Sequence, residues 1–225
     1  MTENVAKTRM RLRFARLEEA GNMSHLEQIK ALRDIAAASG LDCCPAKQGK
    51  TLVPKMSFGP ALSSGCGSRC EYADLYLAQA CKEEVAMAKL AAVKSGTFSL
   101  LSVKRVPVFF PSIEASVSAA RYLIEFKEGV LTRAAVDAFL ALKDLPFEKV
   151  KPSGERKTLD ARAPVLASSF DPESALLKIT LKLEAGRNVK PETVAELMAG
   201  AKPAFKRIVR KELYWFDSSG KLEVF

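Results

Sequence analysis

Pro54-Lys55-Met56-Ser57-Phe58-Gly59-Pro60-Ala61-Leu62, running on through Gly65 to Glu71-Tyr72-Ala73-Asp74-Leu75, is the stretch on which the reading of this chain turns. It reads as a strand ending in Met56-Ser57-Phe58, a long loop of small residues, and a second strand starting near Glu71. Two strands bracketing a Gly-, Pro- and Ser-rich loop mark a rim where ligands bind. The loop lacks the Gly-x-x-x-x-Gly-Lys-Ser/Thr spacing, so a nucleotide-phosphate cradle is not supported.

Upstream, Arg9-Met10-Arg11-Leu12-Arg13-Phe14 alternates strictly, the signature of a half-buried strand. Met10, Leu12 and Phe14 take one face, and Arg9, Arg11 and Arg13 the other. Gly21-Asn22 makes a turn, and Ser24-His25-Leu26-Glu27 fits a capping box. Leu26, Ile29, Leu32 and Ile35 then recur at helical spacing until Gly40 ends the helix. A strand near residues 52–58 precedes the small-residue loop, and Tyr72, Asp74 and Tyr76 share one face of the strand that follows it. Residues 81–94 form a helix with Val85, Ala88 and Ala92 on one stripe, widened by Met87, Leu90 and Val93. Residues 98–109 form a strand broken by Pro107.

After Pro111 the pattern starts again. Tyr122, Ile124 and Phe126 alternate, Thr132 caps a helix bearing Val136, Phe139 and Leu140, and residues 147–151 form a strand. A polar stretch over 152–172 contains Val165-Leu166. Leu177, Ile179, Leu181 and Leu183 alternate in a further strand, Pro191 opens a helix that Gly200 ends, and residues 205–216 form a long strand, with a terminal one over 221–225. The expected fold class is therefore α+β: two tandem ferredoxin-like (βαββαβ) units with antiparallel sheets, residues 1–110 and 111–225, or one compact two-lobed domain. The first and third strands of the first unit are expected side by side and parallel, which brings Asp74, Tyr72 and Tyr76 close to the arginine row.

Length and composition bound the function. A chain of 225 residues with 48% hydrophobic and 27% charged residues has the makeup of a soluble globular protein. No apolar run reaches the roughly 18 to 20 residues that span a bilayer, and Met1-Thr2-Glu3-Asn4 lacks the basic-then-apolar pattern of a signal peptide, so a cytoplasmic location is expected. A net charge of +9 leans toward RNA or an acidic protein partner. Cys43, Cys44, Cys66, Cys70 and Cys81 are expected as reduced thiols; their odd number and spacing favour neither a closed disulfide set nor a metal or iron–sulfur site, so no cofactor is expected.

Several motifs, in order and together, resemble one bacterial family. They are Arg11-Leu12-Arg13-Phe14, Ser24-His25-Leu26, the run from Pro54 to Leu62, Glu71-Tyr72-x-Asp74, Lys157-Thr158-Leu159-Asp160-x-Arg162, Lys190-Pro191-Glu192-Thr193-Val194 and Ile208-x-Arg210-x-Glu212-Leu213. This set resembles the radical SAM-linked proteins, a domain of unknown function fused to or encoded beside radical SAM proteins. The resemblance implies a radical SAM protein as partner. The chain departs from that pattern in Gln48-Gly49-Lys50-Thr51-Leu52-Val53-Pro54-Lys55, which keeps the Gln-Gly and Pro-Lys ends but lacks the family's Asn and His, and in Ser63, Ser64 and Cys66 after Leu62.

The candidate residues follow. Arg9, Arg11, Arg13, Lys55, Ser57, Tyr72 and Asp74 are the candidate RNA- or substrate-binding set, a basic, aromatic-dotted sheet face on which single-stranded RNA stacks. Alternatively, Arg11 or Arg13 pairs with Asp74 and holds an interface. His25, the only histidine, is the candidate catalytic base for a ribose 2′-hydroxyl, with Lys55 or Arg11 as stabiliser, or it makes a local structural hydrogen bond. Asp160 and Arg162 form a site or tether a loop. Lys202, Lys206, Arg207, Arg210 and Lys211 make the C-terminal segment basic, as edge strands commonly are. The expected function is a non-catalytic accessory protein that binds substrate, RNA above all, for a radical SAM enzyme. The alternatives are a metal-independent RNA endonuclease, by analogy of architecture with CRISPR repeat-RNA processing enzymes, and a protein–protein assembly module.

Overall fold

The structure, a computed structural model, describes residues 6–17, 20–150, 154–200 and 205–225. The sequence readings at Met1-Thr2-Glu3-Asn4, Lys151, Pro152 and Lys202 lie outside these residues. The protein is mixed α+β and mostly sheet, with five helices among the described residues. No helix is long and apolar enough to cross a membrane. The chain divides into two compact units, Met1–Val117 and Ser118–Phe225.

In the first unit the elements run β1 (Thr8–Arg16), α1 (His25–Ala38), β2 (Pro45–Gln48), β3 (Thr51–Pro54), β4 (Met56–Phe58), β5 (Gly67–Leu77), α2 (Glu83–Ala91), β6 (Phe98–Val106) and the short α3 (Ile113–Ser116). β1 lies between β5 and β6, and β4 pairs with the far side of β5, so the strands lie in the order β4-β5-β1-β6. All these pairings are antiparallel. The expected parallel pairing of the first strand is therefore corrected: Arg11 lies opposite Asp74, Arg9 opposite Tyr76 and Arg13 opposite Tyr72. A helix crossover followed by a hairpin return reverses the third sheet strand relative to the first, which makes the pairing antiparallel.

The alternation of β1 does what its pattern dictates. Met10, Leu12 and Phe14 are buried on the face that carries the helices, with Leu32 and Ala36 of α1, Ala86 and Leu90 of α2, and Met56, Ala73, Leu75 and Leu77 of the neighbouring strands. Phe14 and Phe98 meet edge to face at 5.5 Å between ring centroids. The helix stripes differ from expectation. α1 buries Gln28, Leu32 and Ala36 and leaves Leu26 exposed; α2 buries Ala86 and Leu90 and leaves Val85 exposed. Helical spacing alone therefore does not bury Leu26 in the first turn of α1.

Two further differences concern the strands. The single strand expected over 52–58 is two, β3 and β4, and β3 folds back on β2 as a separate hairpin with Gln48 opposite Thr51. β5 begins at Gly67, so the small-residue loop is shorter than expected.

The second unit runs β7 (Ala119–Phe126), α4 (Arg133–Ala141), β8 (Pro146–Val150), β9 (Arg156–Asp160), β10 (Val165–Asp171), β11 (Leu176–Lys182), α5 (Pro191–Ala199), β12 (Phe205–Phe216) and β13 (Leu222–Val224). Its strands lie in the order β10-β11-β7-β12, with β13 on β12. The polar stretch after β8 holds two strands rather than a loop: β9 pairs with β8, and β10 pairs with β11. Thr132 caps α4 and Pro191 occupies the first turn of α5, as their sequence positions require, and α5 ends at Gly200 with φ 69°. Each unit thus places a separate hairpin, β2–β3 or β8–β9, between its first helix and the outer strand of its sheet.

Candidate functional site

The sheet face opposite the helices in the first unit carries the arginine row, and one carboxylate organises it. Asp74 is fully buried and accepts from both Arg9 and Arg11. Arg9 Nε donates to Asp74 Oδ2 at 2.9 Å, and Arg11 Nε donates to Oδ1 at 2.9 Å with its Nη2 at 3.1 Å from Oδ2. The side chain of Arg9 is 1% exposed and that of Arg11 18%, which separates their roles. Arg9 spends its remaining donors on the chain after β6: Nη1 donates to the carbonyls of Val108 at 3.4 Å and Phe110 at 2.5 Å, and Nη2 to Pro111 at 2.8 Å. An Arg inside a protein needs all its fork satisfied, and here one carboxylate and three carbonyls do it. Arg9 is thus a buried tie between β5 and the segment after β6.

The same face is only partly open. The segment after β6 crosses it, and Ile113 of α3 is fully buried against Gly59, where an added Cβ would meet the Tyr72 carbonyl at 3.4 Å and Ile113 Cγ2 at 3.5 Å. The Gly59 amide donates to that Tyr72 carbonyl at 3.0 Å.

The remaining candidates line the row. The Arg13 guanidinium lies 5.9 Å from the Tyr72 ring centroid, and Tyr72 is buried. Tyr76 lies between two cations, Arg9 at 5.5 Å and the exposed Lys55 at 5.1 Å from its ring centroid. Lys55 is fixed by its backbone: its amide donates to the Cys44 carbonyl and its carbonyl accepts from the Tyr76 amide. Ser57 sits opposite Asp74 in the register, with its hydroxyl buried.

His25 stands apart from this group. It is the first residue of α1, behind the Ser24 cap, where the Ser24 hydroxyl accepts from the Glu27 amide and the Ser24 amide donates to the Glu27 carboxylate. Arg16, buried at the end of β1, fixes this corner by donating to the carbonyls of Ala20, Gly21 and Met23 and to Gln28 Oε1. Gln28 in turn reaches the buried Glu71. Arg9 and Arg16 lie seven residues apart on one strand, about 23 Å. The geometry thus brings Lys55, Tyr76, Arg9, Arg11 and Asp74 together toward one end of β1, while Arg16 at the other end holds the turn that leads into His25. Sequence reasoning missed Arg16 and Gln28; the carbonyls that Arg16 holds lie in an irregular turn with no pattern of its own.

A further cationic element is the β2–β3 hairpin with the lysine that follows it. From Pro45 to Lys55 it carries Lys47, Lys50 and Lys55 and no carboxylate, and all three lysines are exposed. Arg33 of α1 anchors it, donating to Gln48 Oε1 at 2.7 Å while its guanidinium stacks 5.7 Å from the Phe58 ring centroid.

In the second unit Asp160 closes a turn. Its Oδ1 accepts from the amides of Leu145, Arg162 and Ala163. Burial works to raise its pKa, but those three donors and the Arg162 charge outweigh it and hold the carboxyl below the usual range. Arg162 bonds the carbonyls of Leu140 and Val165, tying α4 to β10. Lys157, Thr158, Leu159 and Asp160 wall a cleft of about 590 Å³ with Lys182, Glu184 and Arg187. Along β12, Lys206 and Arg207 are exposed, Lys211 is half-buried and Arg210 is fully buried. The five cysteines are free thiols. Burial, with Asp42 and Cys44 adding to it, pushes the Cys43 thiol up to about 11. Among the described residues no group of three or more His, Cys, Asp or Glu side chains is placed to hold a metal ion.

No curated protein matches the chain. Among solved structures, it is similar to one titled "Crystal Structure of a Cbf5-Nop10-Gar1 Complex", with 9% identity and a TM-score of 0.46, covering 89% of this chain and 48% of that one. The chain thus spans about half the length of that structure's chain. The family described as "Uncharacterized protein conserved in bacteria (DUF2344)" matches residues 9–191, and the chain belongs to that family.

Proposed function

We propose that this protein is a non-catalytic RNA-binding accessory that presents its RNA to a partner enzyme in the cytoplasm. The observation that carries the reading is the β2–β3 hairpin with the lysine that follows it, Pro45 to Lys55, which has three exposed lysines and no acidic residue. Exposed lysines on and beside a two-stranded ribbon neutralise phosphates without reading sequence, and a carboxylate-free ribbon repels none of them. Arg9 serves a different purpose, since Asp74 and the carbonyls after β6 consume its donors.

Both units are best described as ferredoxin-like: with each separate hairpin set aside, the element order is βαββαβ, and the first sheet strand lies between the third and the fourth in both. The partner enzyme, on the motif resemblance, is a radical SAM protein. Affinity purification of the tagged chain from its native cell, with bound RNA and protein both identified, tests the whole reading. Co-purification of a radical SAM enzyme and of RNA that the lysine-free hairpin no longer retains is the expected result. Recovery of neither defeats it. Cleavage of an RNA pool that disappears in His25→Ala would replace it with the nuclease reading.

A further inference from the structure

Arg9 is fully buried, yet most of the backbone it holds is on the surface. Its guanidinium bonds the carbonyls of Val108, Phe110 and Pro111, and the turn is closed by the Phe110 amide donating to the Pro107 carbonyl at 3.1 Å. The side chains of that turn face water: Phe109 is 86% exposed, Phe110 49% and Val108 40%. The two rings meet edge to face, with centroids 5.5 Å apart and planes at 76°, so Phe110 braces Phe109 while most of Phe109 stays open to water. Exposed phenylalanines cost solubility, and fixing their backbone with a buried, saturated arginine makes sense only if their position matters.

What the turn holds is small. Three side chains fall well short of the roughly 800 Å² per partner of a stable protein interface, but they match the face of one or two nucleobases. The strand leading into the turn carries exposed Lys104 and Arg105 near its end; Lys104 lies opposite Arg11, on the face that the turn crosses, and Arg105 opposite Met10, on the helix face. Glu83 accepts from the Arg105 amide at 2.7 Å and lies 3.5 Å from the Lys104 ammonium, an exposed pair worth little. An exposed ring a few residues from an exposed cation on the same face is a combination that single-stranded RNA uses, with the base on the ring and the backbone on the charge.

We propose that Phe109, braced by Phe110, is a stacking platform for unpaired bases of single-stranded RNA, with Lys104 taking an adjoining phosphate. This rests on the RNA-binding reading above and adds a second contact to it. Stacking was pre-organised by Arg9 before any RNA arrives, so little ordering remains to oppose binding.

The test uses the purified full chain and a fluorescein-labelled oligouridylate decamer, read by anisotropy. Phe109→Ala should weaken binding about tenfold, in the range of one lost base stack, while leaving the dependence on salt unchanged, because stacking releases no counterions. Phe109→Trp should keep the affinity, and the thermal midpoint of Phe109→Ala should match the unmodified protein because that ring touches so little. Unchanged RNA affinity in Phe109→Ala, with RNA still bound through the hairpin lysines, overturns the platform and assigns the aromatic pair to a protein contact, leaving the RNA reading intact. Absence of any binding by the unmodified chain overturns both.

Discussion

Asp74→Asn is the perturbation that most sharply separates a structural arginine row from a ligand-binding one. The carboxylate is fully buried and receives donors from two guanidiniums, one of which is itself 1% exposed. An asparagine of the same shape keeps one acceptor oxygen, removes the negative charge, and turns an NH2 toward guanidinium donors. Breaking a buried ion pair by removing one partner costs about 3 to 5 kcal/mol, because the other charge stays buried and uncompensated. For a unit of this size that corresponds to roughly 10–20 °C in thermal midpoint. Arg11→Met should cost far less, about 1 kcal/mol, since that side chain is partly solvated and Asp74 retains Arg9. The sole tryptophan, Trp215, lies in the second unit. The first unit is therefore followed by hydrogen exchange of the β1 and β5 amides, and those amides should lose protection together in Asp74→Asn. A loss below about 1 kcal/mol, or equal losses in Asp74→Asn and Arg11→Met, would refute the assignment of Arg9 and Asp74 as the internal tie of this sheet.

Two other expectations come from the titrating groups. Asp160 has a carboxyl held below its ordinary 3.8, so its contribution is complete above that value and is lost as pH falls through the lower folded value; amide protection at Leu145, Arg162 and Ala163 should therefore fall only in strong acid, and Asp160→Ala should remove it at neutral pH at a cost of about 1–3 kcal/mol. Cys43, with its thiol pushed up to about 11, should alkylate slowly with iodoacetamide at pH 8 and accelerate steeply toward pH 11; peptide mass spectrometry measures this, and rapid labelling of the native protein at pH 8 would contradict the buried placement of that sulfur.

What the sequence discloses depends on whether a residue's fate is local. The strict alternation of residues 9–14, the Ser24–Glu27 box and the proline at 191 are short-range rules, and β1, the α1 cap and the start of α5 follow them. The β2–β3 hairpin was illegible as a hairpin because Lys47, Gln48, Thr51 and Leu52 are all exposed, leaving no buried face to impose a period of two. β9 and β10 hide for a related reason: Lys157, Thr158, Ser168 and Ser169 dilute the few buried positions at Leu159, Val165 and Phe170. The burial of Arg9 is the clearest limit. An arginine in an alternating strand reads as solvent-facing, and only a partner 65 residues later, together with carbonyls about a hundred residues away, reverses that. Asp74 beside the row was predictable once the strands were neighbours; which arginine it buries was not, because that depends on the segment after β6.

The central claim is that the carboxylate-free hairpin binds RNA by charge. It is tested most directly by the salt dependence of binding between the purified full chain and single-stranded RNA, before and after Lys47→Gln, Lys50→Gln and Lys55→Gln are combined. Each phosphate contact on a single strand contributes about 0.7 to the slope of log affinity against log salt, so the triple variant should lower that slope by about 2 and weaken binding at low salt while leaving the fold intact. An unchanged slope with unchanged affinity would contradict the account.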